Sequence, residues 1–471
     1  MSSRVIPLPT LGDELPERVS AHATEAGAGR HRLAAAATAG LPHAPRTIEE
    51  TGLSLLLLSE LALKVMQQHG LTHLQELSAH LKLSSALVEG LYLLLRKESL
   101  IDIHRRGELD GDVTYALTSA GRTRAADALS RSLYSGPVPV PLGAYSARVQ
   151  AQSVADMGVT QAALETALFG VVIRPEVRDQ LGAAMNSRRA IMLYGPPGAG
   201  KTFLCELMSR LLSGHVAVPY AVEVAGEIIR VFDPLMHRPA RNSGGPRIDI
   251  DNRNRSDARW VLCERPMVMT GGELTLEMLD LVFDPRAGYY QAPPHFKANN
   301  GLFLVDDLGR QLVTPRQLLN RWILPMEHRH DFLMLRNGAK FQIPFDSLLF
   351  FSTNLAPSEV ADEAFLRRIG YKIFVGPVTE EQYRQIVREV CAEYAVPYTD
   401  AAFERLLGYH RLHGRALLAC YPRDLVRQLA DYGAYHGQAA ELSSEMLHWA
   451  WHNYFATEPA RAESAAMGAS S

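Results

Sequence analysis

At 471 residues the chain exceeds one ordinary domain and points to two to four folded units around a sizeable core. Its 47% apolar and 21% charged residues exclude disorder throughout. A formal charge of −3, from 48 basic against 51 acidic groups, excludes the overall positive field of a protein that coats nucleic acid. The cysteines Cys205, Cys263, Cys391 and Cys420 lie far apart without metal-ligand spacing, which fits a reducing compartment, the cytoplasm by default, and no structural zinc.

Residues 1–20 carry prolines and acids rather than a basic stretch followed by an apolar one, so no secretory signal is expected. Residues 21–45 are rich in Ala, Gly, Thr and His without apolar periodicity, and a disordered arm is expected over residues 1–48. From 49 to 135 three helical patterns (residues 53–69, 74–81 and 84–98) precede two strand-like runs, 101–104 and 114–117, and a further helix, 119–130. The most apolar of these runs, residues 53–66, is interrupted by Ser54, Ser59, Glu60 and Lys64 and is too short to span a bilayer, so no membrane partner is expected.

Gly136-Pro137-Val138-Pro139-Val140-Pro141 opens a Pro-rich linker, residues 136–153, because alternating prolines hold an extended backbone and remove its donors. Over residues 154–376 strand-like runs alternate with helical ones, the pattern of an α/β fold with a parallel sheet covered on both faces. The candidate strands are residues 190–194, 216–224, 302–306, 348–353 and 371–375. From 377 to 455 the pattern is helical, beginning at the capping box Thr379-Glu380-Glu381-Gln382, and a disordered tail is expected over 456–471.

Gly195-Pro196-Pro197-Gly198-Ala199-Gly200-Lys201-Thr202 joins the first candidate strand to a helix, the context that makes a P-loop. Glycines let main-chain N–H groups curl round phosphate oxygens, and the helix N-terminus adds a favourable dipole. Lys201 is then placed to neutralise β- and γ-phosphates, and the Thr202 hydroxyl to bind Mg²⁺. Gly301-Leu302-Phe303-Leu304-Val305-Asp306-Asp307 is a buried strand ending in two acids, suited to a cation and an attacking water.

With these two motifs the chain resembles AAA+ ATPases over residues 154–455, and the fold implied is a P-loop parallel sheet with a helical lid. The resemblance implies ATP and Mg²⁺ as ligands, Asp306 as the metal-organising acid of Walker B, and Asp307 where the family usually has a catalytic Glu, shorter by roughly 1.5 Å. It also implies Asn354, at the end of Leu348-Leu349-Phe350-Phe351-Ser352-Thr353-Asn354, as sensor 1. Arg367 and Arg368, in Asp362-Glu363-Ala364-Phe365-Leu366-Arg367-Arg368, become arginine fingers for a neighbouring subunit, and Arg423, in Tyr421-Pro422-Arg423-Asp424-Leu425, becomes sensor 2. Val172 and Ile173 are candidates for contact with the base. A helix opening at Thr314-Pro315-Arg316-Gln317, then a hairpin around Asn337-Gly338, resembles the MoxR-like branch. Residues 232–257 read as an insertion, and Tyr289-Tyr290 as either a pore loop or a packed turn.

The N-terminal order of helix, helix, helix, hairpin, helix, with Tyr115-Ala116-Leu117-Thr118-Ser119-Ala120-Gly121-Arg122, resembles winged-helix domains. In DNA readers the third helix presents basic or amide groups to base edges. Here it offers Glu89 near its start and Arg96 and Lys97 at its end, and Arg105 and Arg106 of the wing are balanced by Glu108, Asp110 and Asp112. Phosphate contacts would be few, so protein docking is expected. The function implied is a homo-oligomeric, commonly hexameric, ring that remodels a protein client; the alternative is a DNA-bound regulator or loader switched by ATP.

Overall fold

The computed structural model describes residues 40–70, 72–106, 113–240 and 256–455. Helix starts follow local chemistry: Ser54, Ser84 and Thr118 each accept, through the side-chain oxygen, the amide hydrogen three residues on. The N-terminal module comprises α1 (Leu55–His69), α2 (Leu74–Leu81), α3 (Ser85–Lys97), the antiparallel pair β1 (Ile101–Arg106) and β2 (Val113–Leu117), and α4 (Ser119–Arg131). Leu61, Leu77, Leu91 and Ala125 meet in its core.

This module runs directly into packed structure. β3 (Val140–Pro141) and α5 (Leu142–Ala151) bury Val140, Tyr145 and Val149. The linker expected over residues 136–153 is therefore corrected: the extended backbone that prolines impose is also what a sheet edge accepts. The expected arm is corrected over its last residues as well. The Asp257 amide donates to the Pro42 carbonyl at 2.7 Å, and Leu41 packs with the core that holds Tyr145. Residues 1–39 and 456–471, where disorder was expected, lie outside the described residues.

Next come α6 (Gln161–Ala167), α7 (Pro175–Asn186), β4 (Ala190–Tyr194) and α8 (Lys201–Arg210). The chain then makes β5 (His215–Pro219), β6 (Ala221–Val224), β7 (Glu227–Arg230), β8 (Trp260–Glu264), β9 (Met267–Thr270), β10 (Val282–Asp284), β11 (Tyr289–Gln291) and α9 (Pro294–Lys297). β12 (Leu302–Val305), α10 (Pro315–His328), the hairpin β13 (His330–Met334) and β14 (Lys340–Pro344), β15 (Leu348–Thr353), α11 (Pro357–Val360), α12 (Glu363–Leu366) and β16 (Ile369–Phe374) complete the α/β part.

The central sheet has the order β16-β4-β15-β12-β9, with every pair parallel. Its side chains alternate between two covered faces. Ile191, Leu193, Leu304 and Phe350 face α7 and α8, while Met192, Phe303, Val305 and Phe351 face Leu318, Leu319 and Trp322 of α10. Residues 216–224 do not form the fifth strand; Met267–Thr270 does. The apolar run breaks at Tyr220, so that β5 pairs with β8 and β6 joins a second sheet of order β10-β11-β7-β6-β3. Residues 241–255 of the expected insertion lie outside the described residues. Tyr289 packs edge-on against Tyr134 at 5.5 Å and Tyr290 is buried, so the pore-loop alternative gives way to the packed turn.

The C-terminal helices α13 (Glu380–Glu393), α14 (Asp400–Leu412), α15 (Tyr421–His436) and α16 (Ser444–Phe455) share a core of their own around Tyr383, Phe403, Leu429 and Trp451. Thr379 and Gln382 complete the expected capping box at its entrance.

Candidate functional site

In a parallel sheet all strands end on one edge, and ligands bind there because helix N-termini and loops converge on it. Gly195, Asp306 and Asn354 each follow directly on β4, β12 and β15 along that edge. The loop after β4 is close-fitted: a side chain at Gly195 would strike the Val375 carbonyl oxygen, and one at Gly198 the Cys420 sulfur. Gly195 and Gly198 also have φ of 144° and 82°, which L side chains rarely adopt.

Lys201, at the first position of α8, is only 6% exposed. Its ammonium donates to the carbonyls of Gly195 and Pro196 at 2.9 and 3.0 Å and to Asn354 Oδ1 at 2.7 Å. Burial lowers its pKa, against the opposing pull of Asp307 and Asp306. Thr202 Oγ1 donates to Asp306 Oδ2 at 2.9 Å, and Asn354 Nδ2 donates to Asp307 Oδ1 at 3.1 Å. Asn354 thus bridges the lysine and the second acid. Asp307 has φ of 49°, so the chain turns sharply just past the strand and presents its carboxylate beside the loop.

Lys201, Thr202, Asp307 and Asn354 line a cavity of about 840 Å³ that also takes in Val172, Ile173, Pro197 to Ala199, and Glu393 and Arg423 from the helical unit. The volume falls within the range of small-molecule sites. Arg423 Nη2 pairs with Glu393 Oε2 at 3.0 Å, joining α15 to α13 at the cavity rim. Arg367 and Arg368 do not line this cavity; they lie at a separate hollow with Arg189 and Glu327. Arg368 Nε is 2.5 Å from Glu327 Oε1, whereas Arg367 keeps its side chain 78% exposed and reaches only Glu363, at 3.5 Å.

Three of the cavity residues that escaped the sequence reading are polar groups close to the loop. Ser352 is 1% exposed, and its hydroxyl has no hydrogen-bond partner among the described residues. Cys420 caps the cavity from α15, and its amide donates to the Gly198 carbonyl at 3.2 Å. Arg310 stands three residues past Asp307, with Nη1 at 3.9 Å from Asp307 Oδ2. Arg310 and Ser352 are near neighbours of Asp307 and Asn354 in the chain, whereas Cys420 is brought in by a contact between distant segments.

A family model described as "Domain of unknown function (DUF8689)" matches residues 379–453, the stretch of α13 to α16. No curated protein matches the chain. Among solved structures, NtrX from Brucella abortus is 14% identical with a TM-score of 0.40, over 64% of this chain and 59% of that one. NtrX from the same organism in complex with ADP is 13% identical with a TM-score of 0.39, over 74% and 70%. The Thermotoga maritima RuvB Holliday junction branch migration motor is 13% identical with a TM-score of 0.34, over 62% and 73%. The chain therefore spans less than two thirds of the first NtrX chain. Among the described residues no helix is long and apolar enough to cross a membrane.

Proposed function

We propose that the chain binds and hydrolyses ATP as a ring-forming AAA+ protein and uses the cycle to remodel a protein partner. The observation that carries this reading is the pairing of Thr202 with Asp306 and of Lys201, through Asn354, with Asp307, at the edge of one cavity that Lys201, Thr202, Asp307 and Asn354 line. The residues fit a polyphosphate: a loop with no room for a side chain at Gly195 or Gly198, a buried ammonium, and the Ser352 hydroxyl in the cavity wall, without a hydrogen-bond partner among the described residues.

They also fit a magnesium ion. No set of three or more His, Cys, Asp or Glu side chains converges as a metal cage among the described residues, so an ion at Thr202 and Asp306 would draw its other ligands from phosphate and water. When bound, it would offset the charge that develops on the phosphates. Lys201 holds the phosphates, Asp307 orients the attacking water and accepts its proton, and Asn354 holds Asp307 in place. Val172 and Ile173 flank the base, and Arg423 couples the lid helices to the nucleotide.

Arg367, exposed and weakly paired, is better placed than Arg368 to complete the site of the next subunit, a head-to-tail contact that closes into a ring, here expected to be a hexamer. The α10 helix and its following hairpin support placement in the MoxR-like branch. We read the N-terminal module as a winged helix that docks protein. The exposed positions of α3 are Ser85, Ala86, Glu89, Leu93, Arg96 and Lys97, and Leu93 is 62% exposed. An apolar and acidic centre suits a protein surface better than phosphates.

Lys201→Ala tests the core of the proposal. The wild type should bind fluorescent ATP, assemble into larger species when ATP is added and release phosphate, and the variant should lose all three. A wild type that stays monomeric at high concentration with ATP would remove the ring, and one that binds no adenine nucleotide would remove the proposal altogether.

A further inference from the structure

Beyond Lys201 and Arg423, two more cations line the cavity, Arg174 and Arg310. Arg174 caps α7 next to Ile173, toward the part assigned to the base. Arg310 stands beside Asp307, on the turn that leaves β12. That turn is held from several sides: the Leu308 amide donates to the Ser352 carbonyl at 2.7 Å, the Arg310 amide to the Asp307 carbonyl at 2.9 Å, and Gln311 Nε2 to the Asp306 carbonyl at 3.0 Å. The backbone of residues 306–311 is therefore set, and Arg310 and Asp307 share one side of it.

The ion pair does not account for this placement. At 3.9 Å, with the two side chains 66% and 44% exposed, it contributes little to stability. Asp307 already has the Asn354 amide as a partner. Arg310 thus lines the cavity together with Lys201, largely exposed and met by Asp307 only at long range, a placement that a strongly anionic ligand would use.

We propose that Arg310 is a second cation, from the same chain, for the terminal phosphate of the bound nucleotide, and that it sets the preference of the cavity for a triphosphate over a diphosphate. This rests on the reading of the cavity as an ATP site. A guanidinium donates two parallel hydrogen bonds to phosphate, which lysine does not.

The test uses the full chain and the N-methylanthraniloyl derivatives of ATP and ADP, with fluorescence titration of the wild type, Arg310→Ala and Arg310→Lys. Arg310→Ala should weaken the ATP analogue by roughly tenfold or more while shifting the ADP analogue less than about twofold, as befits one lost charge-assisted contact. Arg310→Lys should recover part of the loss. Circular dichroism melting of each variant checks that the fold is kept, and a misfolded alanine variant leaves the lysine variant, which keeps the charge, to show reduced ATP-over-ADP selectivity. Equal losses for the two analogues, or no loss for either, in a wild type that binds both would overturn the role of Arg310 and leave the ATP site standing. A wild type that binds neither analogue would overturn both.

Discussion

Asn354 is the side chain on which the charges of the cavity meet. Its carbonyl accepts from Lys201 and its amide donates to Asp307, so one planar group sets the distance between that ammonium and that carboxylate. Truncation to alanine leaves Lys201 with its two main-chain acceptors but removes the amide that donates to Asp307. Asn354→Ala should therefore lower phosphate release by about 100-fold, in line with the loss of one positioned catalytic group. Binding of ATP should change only a few-fold, and a large loss of affinity with unchanged turnover would contradict this role. Cys420, although it lines the same cavity, is a poor nucleophile at neutral pH, because burial pushes its thiol up to about 11.

At the scale of elements, the helical unit is held by a buried polar contact as well as by its apolar core. His410 of α14 is 2% exposed, its Nε2 lies 2.8 Å from the Tyr383 hydroxyl on α13, and its Nδ1 lies 3.2 Å from the Arg415 carbonyl. The carbonyl only accepts, so Nδ1 carries the proton and Nε2 accepts from Tyr383. Burial pushes the pKa of this ring down to about 4, from an ordinary 6.5. Above pH 6.5 the ring is neutral folded or unfolded, and its contribution is intact. As the pH falls from 6.5 toward 4 the unfolded chain takes up a proton that the folded one refuses, and stability declines by on the order of 3 kcal/mol. Urea unfolding at pH 7.5 and 5.0 should show a smaller drop for His410→Gln than for the wild type; equal drops would mean that the ring does not titrate in this way.

Across the whole molecule, the N-terminal module and the α/β part meet on one buried ion pair. Arg259 is 5% exposed, pairs with Asp257 at 2.9 Å, and donates to the carbonyls of Thr51 and Pro139 at 3.1 and 3.3 Å. Ala221 and Ile228 of the second sheet pack into the same core as Leu61 and Leu91. Removal of one member of a buried pair leaves the other charge uncompensated, at a cost of about 3–5 kcal/mol. Arg259→Ala should lower the unfolding midpoint and open residues 132–142 to limited proteolysis, whereas an unchanged digestion pattern would show that the module is held by its apolar contacts alone. If the N-terminal module selects the partner, this junction is the path by which movement around the cavity would reach it.

Local sequence was sufficient wherever the interactions are local. Helix caps at Ser54, Ser84, Thr118 and Thr379 satisfy amides three residues away, and the loop from Gly195 to Thr202 carries its own glycines, lysine and helix start. The buried runs of β4, β12 and β15 were also readable, since a strand covered on both faces is apolar throughout. Tertiary structure decided the rest. Residues 216–224 and Met267–Thr270 are both short apolar runs, and no periodicity says which of them lies beside β12. The same prolines make a spacer in solvent and a sheet edge in a core, and only the burial of Val138 and Val140 separates the two. Cys420 entered the cavity wall by a contact with Gly198 across a long stretch of chain, and such a contact leaves no periodicity in a sequence because it depends on how the elements pack.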